Sequence, residues 1–162
     1  MNATDTSPTT RDRLIAAMLD ALRRRGYFGI GLNELLANAG APKGVLYHHF
    51  PGGKSELAVA AVQVAIEGML GSLDRALKKY AEPATALAAW MEGAQKLLLA
   101  SEFERGCPLA SIALESARED TAIRSALADG FAAIRARLAL AAQHIAYGEK
   151  IVWSGPAYKS MK

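Results

Sequence analysis

The sequence has few of the features of secreted, membrane-spanning or disulfide-bonded proteins. Its 162 residues contain one cysteine, Cys107, so no disulfide can form within the chain, which fits a reducing cytoplasm. It has no run of about 18 apolar residues and begins with a polar segment, so we expect neither a spanning helix nor a signal peptide. β-Branched residues rarely cluster, whereas alanine is abundant, and this balance favours helices over strands. The composition therefore predicts a cytoplasmic, all-α protein without a membrane partner.

No set of residues in the sequence indicates catalysis. We find no phosphate-binding loop, no supported Ser/His/Asp arrangement and no metal-ligand spacing, so we expect neither an enzyme nor a bound cofactor or metal. His48 and His49 are adjacent, and neighbours on a helix point about 100° apart, which disfavours a metal pair. The net charge is only +3 and is uninformative about nucleic acid, because the local placement of charge matters more.

Apolar periodicity predicts seven helices. Thr9 and Asp12 resemble a capping box before the first helix, and Gly26 is suited to the left-handed position that follows its end. The predicted helices cover residues 10–25, 32 to about 39, 42–49, 54–80, 83–100, 108–117 and 121–145. Pro42, Pro83 and Pro108 each suit the first turn of a helix, where the missing N–H has no intrahelical partner.

The second and third predicted helices have the pattern of a helix-turn-helix. Gly40 supplies the tight turn between two short helices. Leu46 and Phe50 are four residues apart, so we expect both to face inward. Small or polar residues would then face outward, as entry into a major groove about 12 Å wide requires, and these are Lys43, Gly44, Val45, Tyr47 and His48.

The segment from Lys43 to Phe50 and its surroundings, residues 10–57, resemble the N-terminal domain of the TetR family of bacterial repressors. Residues 51–57 and 106–111 are similar to the LmrA/YxaF branch of that family. The resemblance implies an N-terminal helix-turn-helix domain, 1–53, a helical ligand-binding and dimerisation domain, 54–146, and an atypical tail, 147–162. Helix 7 fits the first of the two helices that pair across a family dimer, but residues 147–162 lack the pattern of the second.

The resemblance also implies a role for each candidate DNA-binding residue. Lys43 and Val45 would face base edges or nearby phosphates, and Gly44 would allow close approach. Tyr47 and His48 would contact phosphates, although Tyr47 could instead belong to the core. Lys54 would bind a phosphate together with N–H groups at the start of helix 4. Arg23 to Arg25 could face DNA, but a solvated helix end is the favoured interpretation.

The second half of the chain is interpreted as a sensor. A helical bundle can enclose an apolar cavity, and the resemblance implies an inducer pocket between helices 4 and 7. The candidate ligand-binding residues are Trp90, Phe103, Cys107 and Phe131, each of which could instead simply fill the core. For Cys107 a buried, inert thiol is favoured over a redox sensor.

These interpretations predict a homodimeric repressor that binds a palindromic double-stranded DNA operator and is released by a small hydrophobic or aromatic ligand. The alternative is a helical ligand-binding or interaction module whose DNA binding is weak or lost.

Overall fold

The computed structural model describes residues 7–115 and 120–147, which form seven helices and no strand. The all-α prediction is confirmed. The helices are α1 (Thr10–Arg24), α2 (Leu32–Ala39), α3 (Lys43–His49), α4 (Gly53–Lys79), α5 (Pro83–Ala100), α6 (Pro108–Glu115) and α7 (Thr121–Tyr147). Apart from Tyr147, which ends α7, the predicted tail lies outside the described residues.

The helix ends differ slightly from the predicted ones. Pro42 precedes α3 as its N-cap, with an extended backbone (φ −71°, ψ 154°), rather than forming its first turn. At α1 the predicted capping box is present: the Asp12 N–H donates to Thr9 Oγ1 at 3.2 Å, and the Thr9 N–H donates to Asp12 Oδ2 at 3.1 Å. Gly26 follows α1 with φ +77°, as its predicted role requires.

The described chain divides into two compact units, and α4 and α7 each continue from one into the other. The first unit contains residues 7–65 and the described part of 104–127. Its core unites α1, α2, α3, the first half of α4 and α6 through fully or almost fully buried side chains: Leu14, Met18, Leu22, Leu35, Leu46, Phe50, Leu57, Leu109 and Ile112. Burial of each such side chain stabilises the fold by about 1.5–3 kcal/mol.

The predicted domains, 1–53 and 54–146, stay a prediction, and the first unit contains residues on both sides of Gly53. α6 packs on α1, and the Gly106 N–H donates to the Arg23 carbonyl at 2.9 Å. The helix-turn-helix segment therefore lies in one unit with α6 and the start of α7, where Leu109, Ile112 and Ile123 are buried.

The second unit contains residues 66–103 and the described part of 128–147. Leu73, Leu77, Ala86 and Ala141 form its buried centre, with Trp90 among the side chains packed against them. A methyl group at Gly130 would overlap the Ile66 side chain, so glycine permits close approach there.

α4 is long and apolar enough to cross a membrane by length and composition alone. Half of its most apolar window is buried inside the protein, including Leu70 and Leu73. The core helix of a soluble protein has the same properties, so this feature is weak evidence for a membrane span.

Candidate nucleic-acid interface

A left-handed glycine forms the turn between α2 and α3. Gly40 has φ +57° and ψ 40°, a conformation that costs a residue with a side chain about 1–2 kcal/mol. The next N–H, that of Ala41, donates to the Leu36 carbonyl at 3.0 Å. The chain therefore leaves α2 through a hydrogen-bonded glycine turn and starts α3 two residues after Ala41.

Two side chains anchor α3 to the core, as predicted. Leu46 is 0% exposed and Phe50 is 2% exposed. The Arg11 guanidinium of α1 lies over the Phe50 ring, 5.3 Å from its centroid. Because one face of α3 is held in this way, the opposite face must point outward.

The outward face carries the predicted DNA-binding residues of α3. Lys43, Gly44, Tyr47 and His48 are exposed, and Val45 is partly buried. A Cβ atom built on Gly44 has no heavy atom within 4 Å. The packing of the protein itself therefore does not require glycine at this position.

Tyr47 has features of both interpretations, an exposed phosphate contact and a residue packed against the protein. Its side chain is 45% exposed, yet a Cβ atom on Gly53 would lie 3.3 Å from the ring carbon Cε1. Gly53 has φ +67° at the start of α4, where the missing side chain leaves room for the ring. The ring is thus supported on one side while part of it remains accessible.

Lys54 lies at the start of α4, but its ammonium group turns inward to the α1–α2 connection. Nζ donates to the carbonyls of Tyr27 at 2.6 Å and Ile30 at 2.7 Å, and it lies 4.5 Å from the centroid of the Tyr27 ring. Burial lowers the pKa of Lys54, and the carboxylate of Glu115 opposes that shift. Phosphate binding by Lys54 stays a prediction, since the structure commits this ammonium to two backbone carbonyls.

The arginines at the end of α1 lie among carboxylates. Arg24 pairs with Asp20 at 3.2 Å and with Glu104 at 2.6 Å, and Arg25 pairs with Glu34. These acidic partners would repel phosphates, which supports the solvated helix end over a DNA-facing patch.

Sequence reasoning missed two cations near the helix-turn-helix. Arg11 lies over Phe50, and Nη1 of Arg13 lies 4.0 Å from the position of a Cβ atom on Gly40. Both belong to the exposed side of α1. Their spacing on an amphipathic helix would have revealed the exposure, but their proximity to α3 and its turn depends on the fold.

The predicted ligand-binding residues differ in their surroundings. Trp90 packs against the core of the second unit, and its Nε1–H donates to Ser72 Oγ at 2.8 Å. Phe103 is 67% exposed. Phe131 lines a surface groove of about 620 Å³ whose lining residues all belong to α7: Phe131, Ile134, Arg135, Leu138, Ala139 and Ala142.

The prediction that Cys107 is buried is wrong. Its thiol is exposed, in the first unit, directly before α6. The Cys107 carbonyl accepts hydrogen bonds from the Ser111 N–H and Oγ, both at 3.1 Å. The residue therefore caps the first turn of α6 through its backbone, and this role does not require burial of the side chain.

Among the described residues no group of three or more His, Cys, Asp or Glu side chains is placed to hold a metal ion.

A short helix, a glycine turn and an anchored second helix with an exposed polar face define the helix-turn-helix class of transcriptional regulator. Residues 14–61 match the bacterial regulatory proteins of the tetR family. Residues 83–148 match the C-terminal domain of LmrA/YxaF-like transcriptional regulators.

Individual relatives agree with both matches. The chain is 30% identical over 122 residues to the HTH-type transcriptional regulator LmrA of Bacillus subtilis (strain 168), covering 75% of this chain and 65% of the relative. It is 29% identical over 108 residues to the uncharacterized HTH-type regulator YxaF of the same organism, covering 67% and 56%. The chain thus spans less than two thirds of the length of either relative.

A solved structure supports the fold. The regulatory protein TetR from Rhodobacter sphaeroides superposes with a TM-score of 0.78 at 24% identity, covering 93% of this chain and 79% of that one. The chain belongs to the TetR family of transcriptional regulators, in its LmrA/YxaF branch. Members of this family are regulators and not enzymes.

Proposed function

We propose that this protein is a cytoplasmic repressor that binds a palindromic DNA operator through α3. The observation that carries the proposal is the exposed face of α3, where Lys43, Tyr47 and His48 surround a glycine with open space above it. A glycine unconstrained by the protein's own packing suits a surface that another molecule approaches closely.

In this proposal the contacts divide by chemistry. Lys43 and Val45, in the first turn of α3, face base edges or adjacent phosphates, because the N-terminal residues of a recognition helix reach furthest into the major groove. Tyr47 and His48 contact phosphates, which position the helix without reading sequence. Arg13, beside the α2–α3 turn, adds a further cation for the DNA backbone.

A homodimer would present two such helices to half-sites about 34–36 Å apart. Paired half-sites explain why a palindromic operator is expected, since a two-fold protein matches a two-fold DNA sequence.

The ligand part of the proposal rests on the second unit. This unit holds an apolar centre and two partly buried polar pairs, Trp90 Nε1–H to Ser72 Oγ at 2.8 Å and Arg137 Nε to Asp74 Oδ1 at 2.5 Å. An apolar bundle with a few polar groups is the usual environment for a small hydrophobic or aromatic ligand. Such a ligand releases DNA only if it binds the DNA-incompetent state more tightly.

Selection of bound sequences from a random DNA pool, followed by titrations at several salt concentrations, tests the DNA-binding function. Lys43→Ala and Tyr47→Ala are expected to weaken binding to the selected sequence, and Lys43→Ala should lower the salt slope by about 1 if it contacts a phosphate. Lys96→Ala is the control, because Lys96 is an exposed lysine on α5 that pairs with Glu92. Full affinity in both α3 variants would contradict the proposed interface.

The purified protein and the selected DNA also test the proposed homodimer and the proposed ligand. Sedimentation at micromolar concentration should show a dimer, and a monomer with weak binding to single half-sites would favour the alternative of an interaction module. Release of the selected DNA by members of a library of aromatic compounds would support the ligand, whereas a library without effect would count against an inducible repressor.

A further inference from the structure

The turn between α1 and α2 is held by side chains from distant parts of the sequence. Glu115, the last residue of α6, accepts the N–H of Phe28 through Oε2 at 2.8 Å. Lys54, at the start of α4, donates to the carbonyls of Tyr27 and Ile30 in the same turn. Three backbone groups of one short turn are thus satisfied by two charged side chains.

The turn is shaped to receive the Glu115 carboxylate. Gly26 has φ +77°, and a Cβ atom on it would overlap the Glu115 carboxylate group. Glycine at this position therefore meets two separate demands, a left-handed backbone and space for an acidic side chain from α6.

The start of α7 joins the same cluster. Asp120 accepts from Ser55 Oγ at 3.0 and 3.2 Å through its two carboxylate oxygens, and also from the Ile123 N–H at 3.2 Å, which caps α7. Burial together with the nearby Asp120 charge raises the pKa of Tyr27. The turn is thereby bound to α4 and α6, and Asp120 connects the start of α7 to Ser55, the residue after Lys54, within the first unit.

We propose that Glu115, Lys54 and Asp120 form a turn latch through which the end of α6 and the start of α7 set the position of the helix-turn-helix. α2 begins at Leu32, two residues after the latched Ile30, and α3 follows through the Gly40 turn. A displaced turn therefore displaces the two helices that follow it.

The latch makes the position of α2 and α3 depend on residues outside the helix-turn-helix. α7 begins at Thr121, directly after Asp120, and continues as one helix to Tyr147, so it also carries Phe131. A shift of α7 or of the end of α6 would weaken the contacts on the turn, and weaker contacts would loosen α2 and α3. This coupling rests on the proposed function, because its consequence is a change in DNA affinity.

The test compares Glu115→Ala and Glu115→Gln in the full chain. Amide hydrogen exchange of Phe28, measured without DNA, should be about tenfold faster or more in Glu115→Ala, because a hydrogen bond to a charged acceptor is lost. Glu115→Gln keeps an acceptor of the same shape and should lie between that variant and the wild type. It also serves as the informative variant if Glu115→Ala does not fold.

Affinity for the selected operator, measured well below each unfolding midpoint, should fall about tenfold in Glu115→Ala and recover in part in Glu115→Gln. Glu92→Ala is the matched control, because Glu92 is an exposed glutamate of the second unit that pairs with Lys96 on its own helix. It should change neither quantity. A role limited to stability would lower the unfolding midpoint of Glu115→Ala without changing DNA affinity at low temperature.

A double-mutant cycle with Gly26→Ala supplies a second test. The added methyl group displaces the Glu115 carboxylate, so Glu115→Ala should have little further effect on Phe28 exchange in that background. Additive effects, unchanged Phe28 exchange in Glu115→Ala, or faster exchange with unchanged DNA affinity would each overturn the latch. A wild-type chain that binds no DNA would instead overturn the proposed function, while the exchange measurement would still decide whether Glu115 holds the turn.

Discussion

Replacing Gly44 by alanine is expected to stabilise the protein and at the same time to weaken its binding to DNA. Gly44 is the second residue of α3, and its backbone is not in the left-handed region. No heavy atom lies within 4 Å of the Cβ position. The folded chain alone would therefore accept a methyl group without a clash.

The expected gain in stability follows from helix propensity. Glycine within a helix is about 0.5–1 kcal/mol less favourable than alanine, because it loses more backbone entropy on folding. For a chain of this size, 1 kcal/mol moves the unfolding midpoint by about 2–4 °C. Gly44→Ala should thus raise the midpoint by about 1–4 °C.

The expected loss in DNA affinity has a different origin. If the α3 backbone lies against the major groove, a methyl group at position 44 occupies space that the DNA needs. A loss of at least about tenfold, or 1.4 kcal/mol, is expected for such a contact.

The assay is thermal unfolding and titration of the selected operator, with the same protein preparations used for both. Gly93→Ala is the matched control, because Gly93 lies within α5 and its Cβ position is also free of neighbours within 4 Å. It should give a similar rise in midpoint and no change in DNA affinity. Unchanged affinity in Gly44→Ala would refute the proposed approach of α3 to DNA, and a lowered midpoint would refute the argument from open space.

Two further predictions concern stability. Leu46→Ala should cost about 2–5 kcal/mol in chemical denaturation, because Leu46 is fully buried, whereas the same change at Leu97, which is 75% exposed, should stay within about 0.5 kcal/mol. Thr9→Ala should cost about 1 kcal/mol by removing the N-cap of α1. Hydrogen bonds with Thr9 lower the pKa of the Asp12 carboxyl below its ordinary value. This carboxylate therefore contributes stability at pH values above its ordinary pKa, and the contribution is lost as the pH falls through the lowered pKa. In Thr9→Ala the free energy of unfolding should therefore fall less steeply as the pH is lowered. An unchanged pH dependence in the acid range would contradict the role of Thr9 in lowering the pKa of Asp12.

Much of the helix-turn-helix could be predicted because its determinants are local. The Gly40 turn and the inward pair Leu46 and Phe50 are separated by only ten residues, and helical periodicity relates them directly. Their predicted positions are confirmed by the left-handed Gly40 and by the burial of both side chains.

Lys54 shows that a position on a helix does not by itself decide which groups a side chain contacts. The resemblance to the TetR family implies a phosphate contact for Lys54 together with helix N-terminal N–H groups, which stays a prediction. The structure instead offers it two carbonyls of a turn more than twenty residues earlier in the chain. A lysine with several possible acceptors is not decided by its own helix, because the acceptors belong to other elements.

The all-α class, the helix order and the exposed face of α3 could be predicted from the amino-acid sequence, because helix propensity, capping and periodicity act within one or two turns. Three other features depend on long-range packing: α6 and the start of α7 lie in one unit with the helix-turn-helix, Cys107 is exposed and Glu115 contacts the α1–α2 turn. The partners in these contacts are separated by as many as 87 residues. No periodicity specifies such pairs, because they form where buried apolar faces bring distant backbone groups within hydrogen-bonding distance.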